Sequence, residues 1–372
     1  MLRKLFFAVS ATLALFISAN AQEDSTKSVV ISGNVDAYYR YNFDGGTRFA
    51  NNNTSFTNSQ SSFELGMASI RADLSALSGK VGAVIDLGFG RRAEEFSYMD
   101  GDDDQAKNGF ISLSNIKQAY ITYQPISALK FTAGKFATHV GYELLDAPLN
   151  RNYSMSYMFT NGPFFHTGLK ADITAGPVGF MVGVANATDM STRYVYPAVP
   201  VTSVKGLIGQ FSGSFLDSKL KFYLNYAGFF GSKSGNNALG LKSLNQVDLV
   251  LLGTISDKFN IGYNGTLQSR TPTAGDGGSW IGNALYLNFD PSSAIGLTLR
   301  SEYIMDDDGV LFTTAPTENI FANTLSLNWK VGPLTIIPEL RYETAEAEIF
   351  VKKNEETTKS TFSALLAAVI KF

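Results

Sequence analysis

The sequence predicts an all-β protein, a transmembrane antiparallel up-and-down β-barrel of about 16 strands. Three observations point to it: period-2 alternation over most of the chain, short turns that alternate with long polar connections, and an apolar last segment ending on phenylalanine.

Near the start, Val29, Ile31, Gly33, Val35, Ala37, Tyr39, Tyr41 and Phe43 alternate with Ser32, Asn34, Asp36, Tyr38, Arg40 and Asn42. Successive strand side chains point to opposite faces, so this segment has one apolar face and one polar, charged face. Leu334, Ile336, Pro338, Leu340 and Tyr342 oppose Thr335, Glu339, Arg341 and Glu343 in the same way. Leu325, Leu327 and Trp329 are expected to face lipid, and Thr324, Ser326 and Asn328 the lumen. A one-residue slip would push polar groups into hydrocarbon. A soluble sandwich also alternates, but its strands are usually shorter.

Seven short turn signals recur, at Ala76–Lys80, Gln124–Lys130, Thr174–Val178, Leu216–Lys219, Ile255–Phe259, Asp290–Gly296 and Val331–Pro333. Gly, Pro, Asp and Ser dominate them, as tight turns require. Longer polar stretches fall between, such as Asp44–Gln60, Arg91–Gly109, Ser232–Ser243 and Lys352–Lys359. Short turns at one end and long loops at the other are the outer-membrane arrangement, with turns and both termini periplasmic. Phe362, Ala364, Leu366, Ala368, Ile370 and Phe372 form the apolar face of the last strand. That strand is expected to close the barrel against the first, leaving no edge unpaired in lipid. The ending also resembles the C-terminal signal read by the outer-membrane assembly machinery, an expected partner through Phe372.

Arg3 and Lys4, the apolar run Leu5–Ile17 and the small-x-small triplet Ala19-Asn20-Ala21 read as a secretory signal cut after Ala21. The thirteen residues of the run fall short of the roughly 20 that a spanning helix needs. The expected organisation is a cleaved signal over residues 1–21 and a single barrel domain over 22–372, in the bacterial outer membrane. Without Arg3 and Lys4 the 30 basic residues become 28 against 33 acidic ones, a net charge near −5. That provides no basic footprint for nucleic acid. The chain has no cysteine, hence neither a disulfide framework nor a thiolate metal site. Its 34 Gly, 28 Phe and 17 Tyr suit tight turns and aromatic girdles at two membrane interfaces.

Gly134-Lys135-Phe136, Thr138, Gly141-Tyr142-Glu143, Asp146, Asn150, Ser154 and Ser156, followed by Gly162-Pro163-Phe164 and His166-Thr167-Gly168-Leu169, resemble the β-barrel porin-2 (OmpL-like) family. The opening Ile31-Ser32-Gly33-Asn34-Val35-Asp36-Ala37-Tyr38 is similar to that family's start. The resemblance covers most of the chain after the signal and implies an outer-membrane channel of porin type. It implies no particular solute and no catalytic residues.

Barrel size carries the functional expectation independently. About sixteen to eighteen strands leave an aqueous channel, whereas eight are filled by their own side chains. The 351 residues after Ala21 (372 − 21) are too few for a barrel of about 22 strands with a separate plug domain. The polar parity would line the pore with Asp36, Arg40, Arg71, Asp73, Asp86, Lys170, Asp172, Lys221, Arg270, Arg300, Glu302, Glu339 and Arg341. Acids and bases are mixed, so no ion preference follows; cross-strand salt bridges that stiffen the wall are the competing role. Small solutes and membrane lipid are the expected partners, and assembly into a homo-oligomer is left open.

The Ala137–Phe165 connection is long and rich in aromatics, including Tyr142, Tyr153, Tyr157, Phe159 and Phe164. Such a loop is expected to pack on something. Folding inward would narrow the pore, with Tyr142, Glu143, Asp146 and Arg151 at the constriction; packing over the rim or a neighbouring subunit is the alternative. His139 and His166 flank this loop but lack a defined carboxylate partner, a poor basis for a metal site. Asp102-Asp103-Asp104 and Asp306-Asp307-Asp308 lack the spacing of a calcium loop. No cofactor, metal or enzymatic activity is expected. The expected function is passive diffusion of small solutes; a structural or accessory barrel subunit of a larger outer-membrane assembly is the alternative.

Overall fold

A computed structural model describes residues 27–45, 51–98, 113–191, 194–195, 199–200, 205–229, 240–311 and 318–372. The expected signal segment and Asp102–Asp104 lie outside the described residues. Sixteen antiparallel strands close into one barrel in which sequence neighbours are sheet neighbours. They are β1 (Ser28–Asn42), β2 (Ser62–Ala76), β3 (Val81–Phe89), β4 (Ile116–Ile126), β5 (Leu129–Ala137), β6 (Phe165–Ala175), β7 (Val178–Asn186) and β8 (Lys205–Phe215). There follow β9 (Leu220–Phe229), β10 (Leu241–Ser256), β11 (Phe259–Pro272), β12 (Gly278–Phe289), β13 (Ile295–Asp306), β14 (Glu318–Val331), β15 (Leu334–Ala345) and β16 (Ser360–Lys371). Among the described residues, two short α-helices, α1 (Arg91–Phe96) and α2 (Tyr157–Asn161), sit in loops.

All seven short turns fall where the Gly, Pro, Asp and Ser clusters place them, at the end where β1 begins and β16 ends. The β2–β3 turn runs through left-handed backbone at Leu77, Ser78 and Gly79. Turns of this kind fix the register, and alternation then sorts the side chains. On β14, Leu325 and Trp329 are 47% and 49% exposed on the outer face, whereas Thr324 and Ser326 are fully buried inside. The outer surface is a band of exposed Val, Ile, Leu and Phe, as a lipid solvent demands. Two tyrosine–asparagine pairs sit on this face: the Tyr226 hydroxyl donates to Asn245 at 2.7 Å and that of Tyr263 to Asn283 at 2.6 Å.

β1 and β16 pair from Asn34↔Lys371 to Asn42↔Ser363 and close the sheet. At the end of this seam the Phe372 amide donates to the Gly33 carbonyl and the Gly33 amide to Phe372, both at 3.0 Å. The Phe372 ring covers Gly33 so closely that a Cβ there would stand 2.6 Å from it. Deleting Phe372 removes both bonds and the ring at the barrel's closing seam, where an unpaired backbone group in hydrocarbon costs several kcal/mol. The deletion is expected to lower the amount of heat-modifiable, folded barrel recovered from membranes severalfold; equal recovery would count against a closing role for this residue.

Candidate functional site

The 138–164 loop runs inside the barrel. Leaving β5, its Gly141 amide donates to Asp248 at 3.0 Å and its Tyr142 amide to Asn264 at 3.2 Å, on the inner faces of β10 and β11. The Tyr142 ring stacks on Tyr286 of β12, centroids 3.9 Å apart. The loop then descends to the short-turn end, where Arg151 forks onto Asp290 at 2.6 and 3.0 Å and donates to Thr298 at 2.7 Å. That fork holds the Asp290 carboxyl below its ordinary range. On the way back, the Tyr153 hydroxyl donates to Asp36 at 2.5 Å and its amide to Glu339 at 2.8 Å. Tyr157 gives its amide to Glu302 and its hydroxyl to Glu343, at 2.8 and 2.7 Å.

The wall is shaped to receive this loop. Inward-facing glycines mark the places of closest approach: a Cβ on Gly262 would stand 2.6 Å from the Tyr142 ring, and one on Gly282 2.5 Å from Met158. On Gly296 it would stand 2.6 Å from Asp290 and 2.8 Å from Arg151. Gly66 is the extra residue of a bulge, since Asp36 pairs with Met67 but Ala37 with Leu65. A side chain there would collide with the Asp36 carboxylate and the Tyr153 hydroxyl. A second bulge skips Lys117 on β4. It aims both Lys117 and Gln118 at Asp86, at 3.0 and 3.1 Å, as two residues facing one partner allow.

Charge holds the loop as well as shape. Arg300 on β13 donates to Glu143 at 2.5 Å, to the Ser154 carbonyl at 2.7 Å and to the Met155 carbonyl at 3.1 Å. Glu302 lies 3.3 Å from Arg300 and 2.9 Å from Arg341, which reaches Glu343 at 3.0 Å. Asp146 accepts from Lys117 at 2.5 Å and from Asn34 at 3.2 Å. Arg92 of α1, fully buried, donates to the carbonyls of Leu145 and Tyr153, both at 3.1 Å. Both Glu143 and Asp146 thus have their charge met by a cation, Arg300 and Lys117 respectively.

The thirteen inward charges of the polar parity divide in two. Asp36, Arg40, Asp86, Arg300, Glu302, Glu339 and Arg341 are buried. Arg40 is covered by the first loop, donating to the carbonyls of Asn51 and Ser59 at 2.7 and 2.9 Å. Arg71, Asp73, Lys170, Asp172, Lys221 and Arg270 keep partial exposure. Arg71 pairs with Asp73 at 2.7 Å and Lys170 with Asp172 at 3.1 Å. Each of the sixteen strands carries at least one buried inward residue, for example Met67 on β2, Thr132 on β5, Met181 on β7, Ile208 on β8 and Asp248 on β10. His139 and His166 lie together at the root of the loop, centroids 5.3 Å apart and rings tilted by 42°. His139 meets the Tyr226 carbonyl at 3.0 Å and His166 the Thr138 hydroxyl at 3.3 Å. Asp306 accepts from the amides of Val310 and Leu311, both at 2.9 Å, and Asp308 from that of Ser279 at 2.7 Å.

Sequence reasoning missed Arg92, Lys117, Asp248 and Asp290 as loop anchors. The signal it could have used is glycine at inward parity, as at Gly262, Gly282 and Gly296, where a water-filled lumen would need no small residue.

Known structures share this architecture. The outer membrane channel DcaP of Acinetobacter baumannii is 14% identical, with 94% of this chain and 99% of that one aligned at a TM-score of 0.63. An anion-selective porin from Comamonas acidovorans is 11% identical over 93% and 100% of the chains, TM-score 0.60. The trimer form of OmpT from Vibrio cholerae is 12% identical over 94% and 100%, TM-score 0.58. At such identities the likeness shows the fold. No curated protein matches the sequence. The profile of one family spans residues 28–372, the whole barrel. The chain therefore belongs to the family described as Putative beta-barrel porin-2, OmpL-like, and is an outer-membrane channel.

Proposed function

We propose that this channel serves passive diffusion of small hydrophilic solutes and that the 138–164 loop is a plug that sets its flow. The observation that carries this reading is the burial of inward residues on every strand beneath loop segments. A barrel of about sixteen strands would otherwise hold a water-filled lumen. The partly exposed Arg71–Asp73 and Lys170–Asp172 pairs, with Lys221, form the wall of a vestibule at the short-turn end. Nearly balanced charge there favours weak ion selectivity. The purified protein in planar bilayers is expected to conduct in small steps and, in liposomes, to pass only small sugars. A barrel that conducts neither intact nor with the loop excised would favour the accessory-subunit reading.

Export with cleavage after Ala21, recognition of the last strand by the assembly machinery and association of copies in the membrane belong to the same proposal. The signal-like start and the terminal Phe372 support the first two. The trimeric form of OmpT, a protein of the same fold, supports the third.

A further inference from the structure

A cavity of about 900 Å3 lies on the long-loop side of the plug. Its floor is the returning limb Thr160–Phe164; α1 and β2 form one wall, β10 and β11 the other. The two walls present opposite charges that their own neighbours compensate only in part. Asp306 acts on Arg270 electrostatically, and Asp189 in the lining is engaged by the Tyr98 hydroxyl and the Phe164 and Phe165 amides. On the first, Arg91 meets Glu64 at 3.1 Å and Glu95 at 3.7 Å, so two carboxylates share one cation. Glu94 beside them is exposed, and among the described residues its side chain has no ion pair or hydrogen bond. On the second wall, Arg270 donates to the Gln268 side chain and to the carbonyls of Asn161 at 3.3 Å and Val310 at 3.4 Å. Among the described residues no carboxylate pairs with it, and nearby Asp306 accepts from the Val310 and Leu311 amides. Leu241, Leu244 and Phe164 supply apolar surface to the cavity.

We propose that this cavity binds a short zwitterionic peptide, its carboxylate on Arg270 and its ammonium on Glu94 and Glu95. A lone anion would face the acidic wall and a lone cation Arg270, so a solute carrying both charges is favoured over either. A volume of 900 Å3 corresponds to a sphere about 12 Å across, the reach of about three extended residues at roughly 3.3–3.6 Å each. Arg270 is also a latch on the plug: it and Gln268 both donate to the Asn161 carbonyl, at 3.3 and 3.0 Å. A carboxylate competes well for that guanidinium, because it carries the opposite charge and can accept two parallel bonds, whereas the carbonyl is neutral and accepts one. Binding thereby loosens the returning limb of the loop. This deepens the diffusion-channel reading and rests on it for the link to permeation.

Isothermal titration of the intact barrel in detergent tests the site without requiring conduction. The probes are trialanine, its N-acetyl form, its C-terminal amide and the doubly capped peptide. Trialanine is expected to bind at least tenfold more tightly than the doubly capped form. Arg270→Gln should abolish the preference for free acid over amide, and Arg270→Lys should restore part of it. Glu94→Gln combined with Glu95→Gln should abolish the preference for free amine over acetyl. Heat-modifiable mobility verifies that each variant is folded. Equal affinity for all four peptides, or an acid preference that survives in Arg270→Gln, overturns the proposal. Binding as described with no effect of trialanine on bilayer current would overturn the latch role of Arg270 and leave the site standing, whereas absence of any current would count against the diffusion-channel reading alone.

Discussion

Replacing Leu144–Thr160 by a short Gly-Ser linker is expected to raise single-channel conductance severalfold and to admit larger solutes. The segment removed carries most of the contacts that fill the lumen: the Arg151–Asp290 fork, Tyr153 on Asp36 and Glu339, and Tyr157 on Glu302 and Glu343. The barrel does not depend on it for closure, because the strand ladder is continuous from β1 round to β16. The charges it leaves behind, Arg300, Glu302, Arg341 and Glu343, would stand in water and pair with one another. Gel mobility with and without heating checks insertion. A variant that inserts normally yet keeps the parent's conductance and size cutoff would show that the loop restricts nothing.

Arg300→Ala is expected to have the next largest effect. This side chain, fully buried, holds Glu143 and two loop carbonyls at once. Removing one partner of a buried pair costs about 3–5 kcal/mol, since the other charge is left uncompensated. Here two carboxylates lose a cation, and the loop is the mobile party. The variant should record as a channel that flickers between the parental level and one close to the excised loop's. Arg300→Lys, which keeps the charge but not the fork, should fall between. Steady parental currents from Arg300→Ala would mean that the loop is held elsewhere.

How much of this was legible differs between the wall and its contents. The alternation of Thr324, Leu325, Ser326, Leu327, Asn328 and Trp329 states its own register, because only one parity can face hydrocarbon. The turns were equally readable, since backbone such as that at Leu77–Gly79 restricts residue choice locally. The bulges at Gly66 and Lys117 were not. Pairing Asp86 with both Lys117 and Gln118 is decided between strands distant in sequence. The same limit applies to the inward charges. Arg300 and Lys170 occupy like positions in an alternating strand, yet one is fully buried and the other keeps 21% of its side chain in water. The difference comes from a loop lying over β13 and not over that part of β6. The loop's aromatics, Glu143, Asp146 and Arg151 were visible in the sequence, and so were Asp36, Arg300, Glu302 and Glu339 as inward residues. Their pairing with the loop, and the anchors Arg92, Lys117, Asp248 and Asp290, were not.

Division of the lumen into two chambers by the loop is best tested by sided thiol labelling, for which the absence of native cysteine is convenient. Lys221→Cys lies at the short-turn end and Glu94→Cys on the outer cavity, while Ser326→Cys lies beneath the loop against Asn152. A bulky, charged, membrane-impermeant thiol reagent is applied to one face of a bilayer holding the protein. Lys221→Cys should react from the short-turn face alone, Glu94→Cys from the long-loop face alone, and Ser326→Cys from neither until Leu144–Thr160 is excised. Fast reaction of Ser326→Cys in the intact protein, or of Lys221→Cys from both faces, would contradict a plug across the lumen.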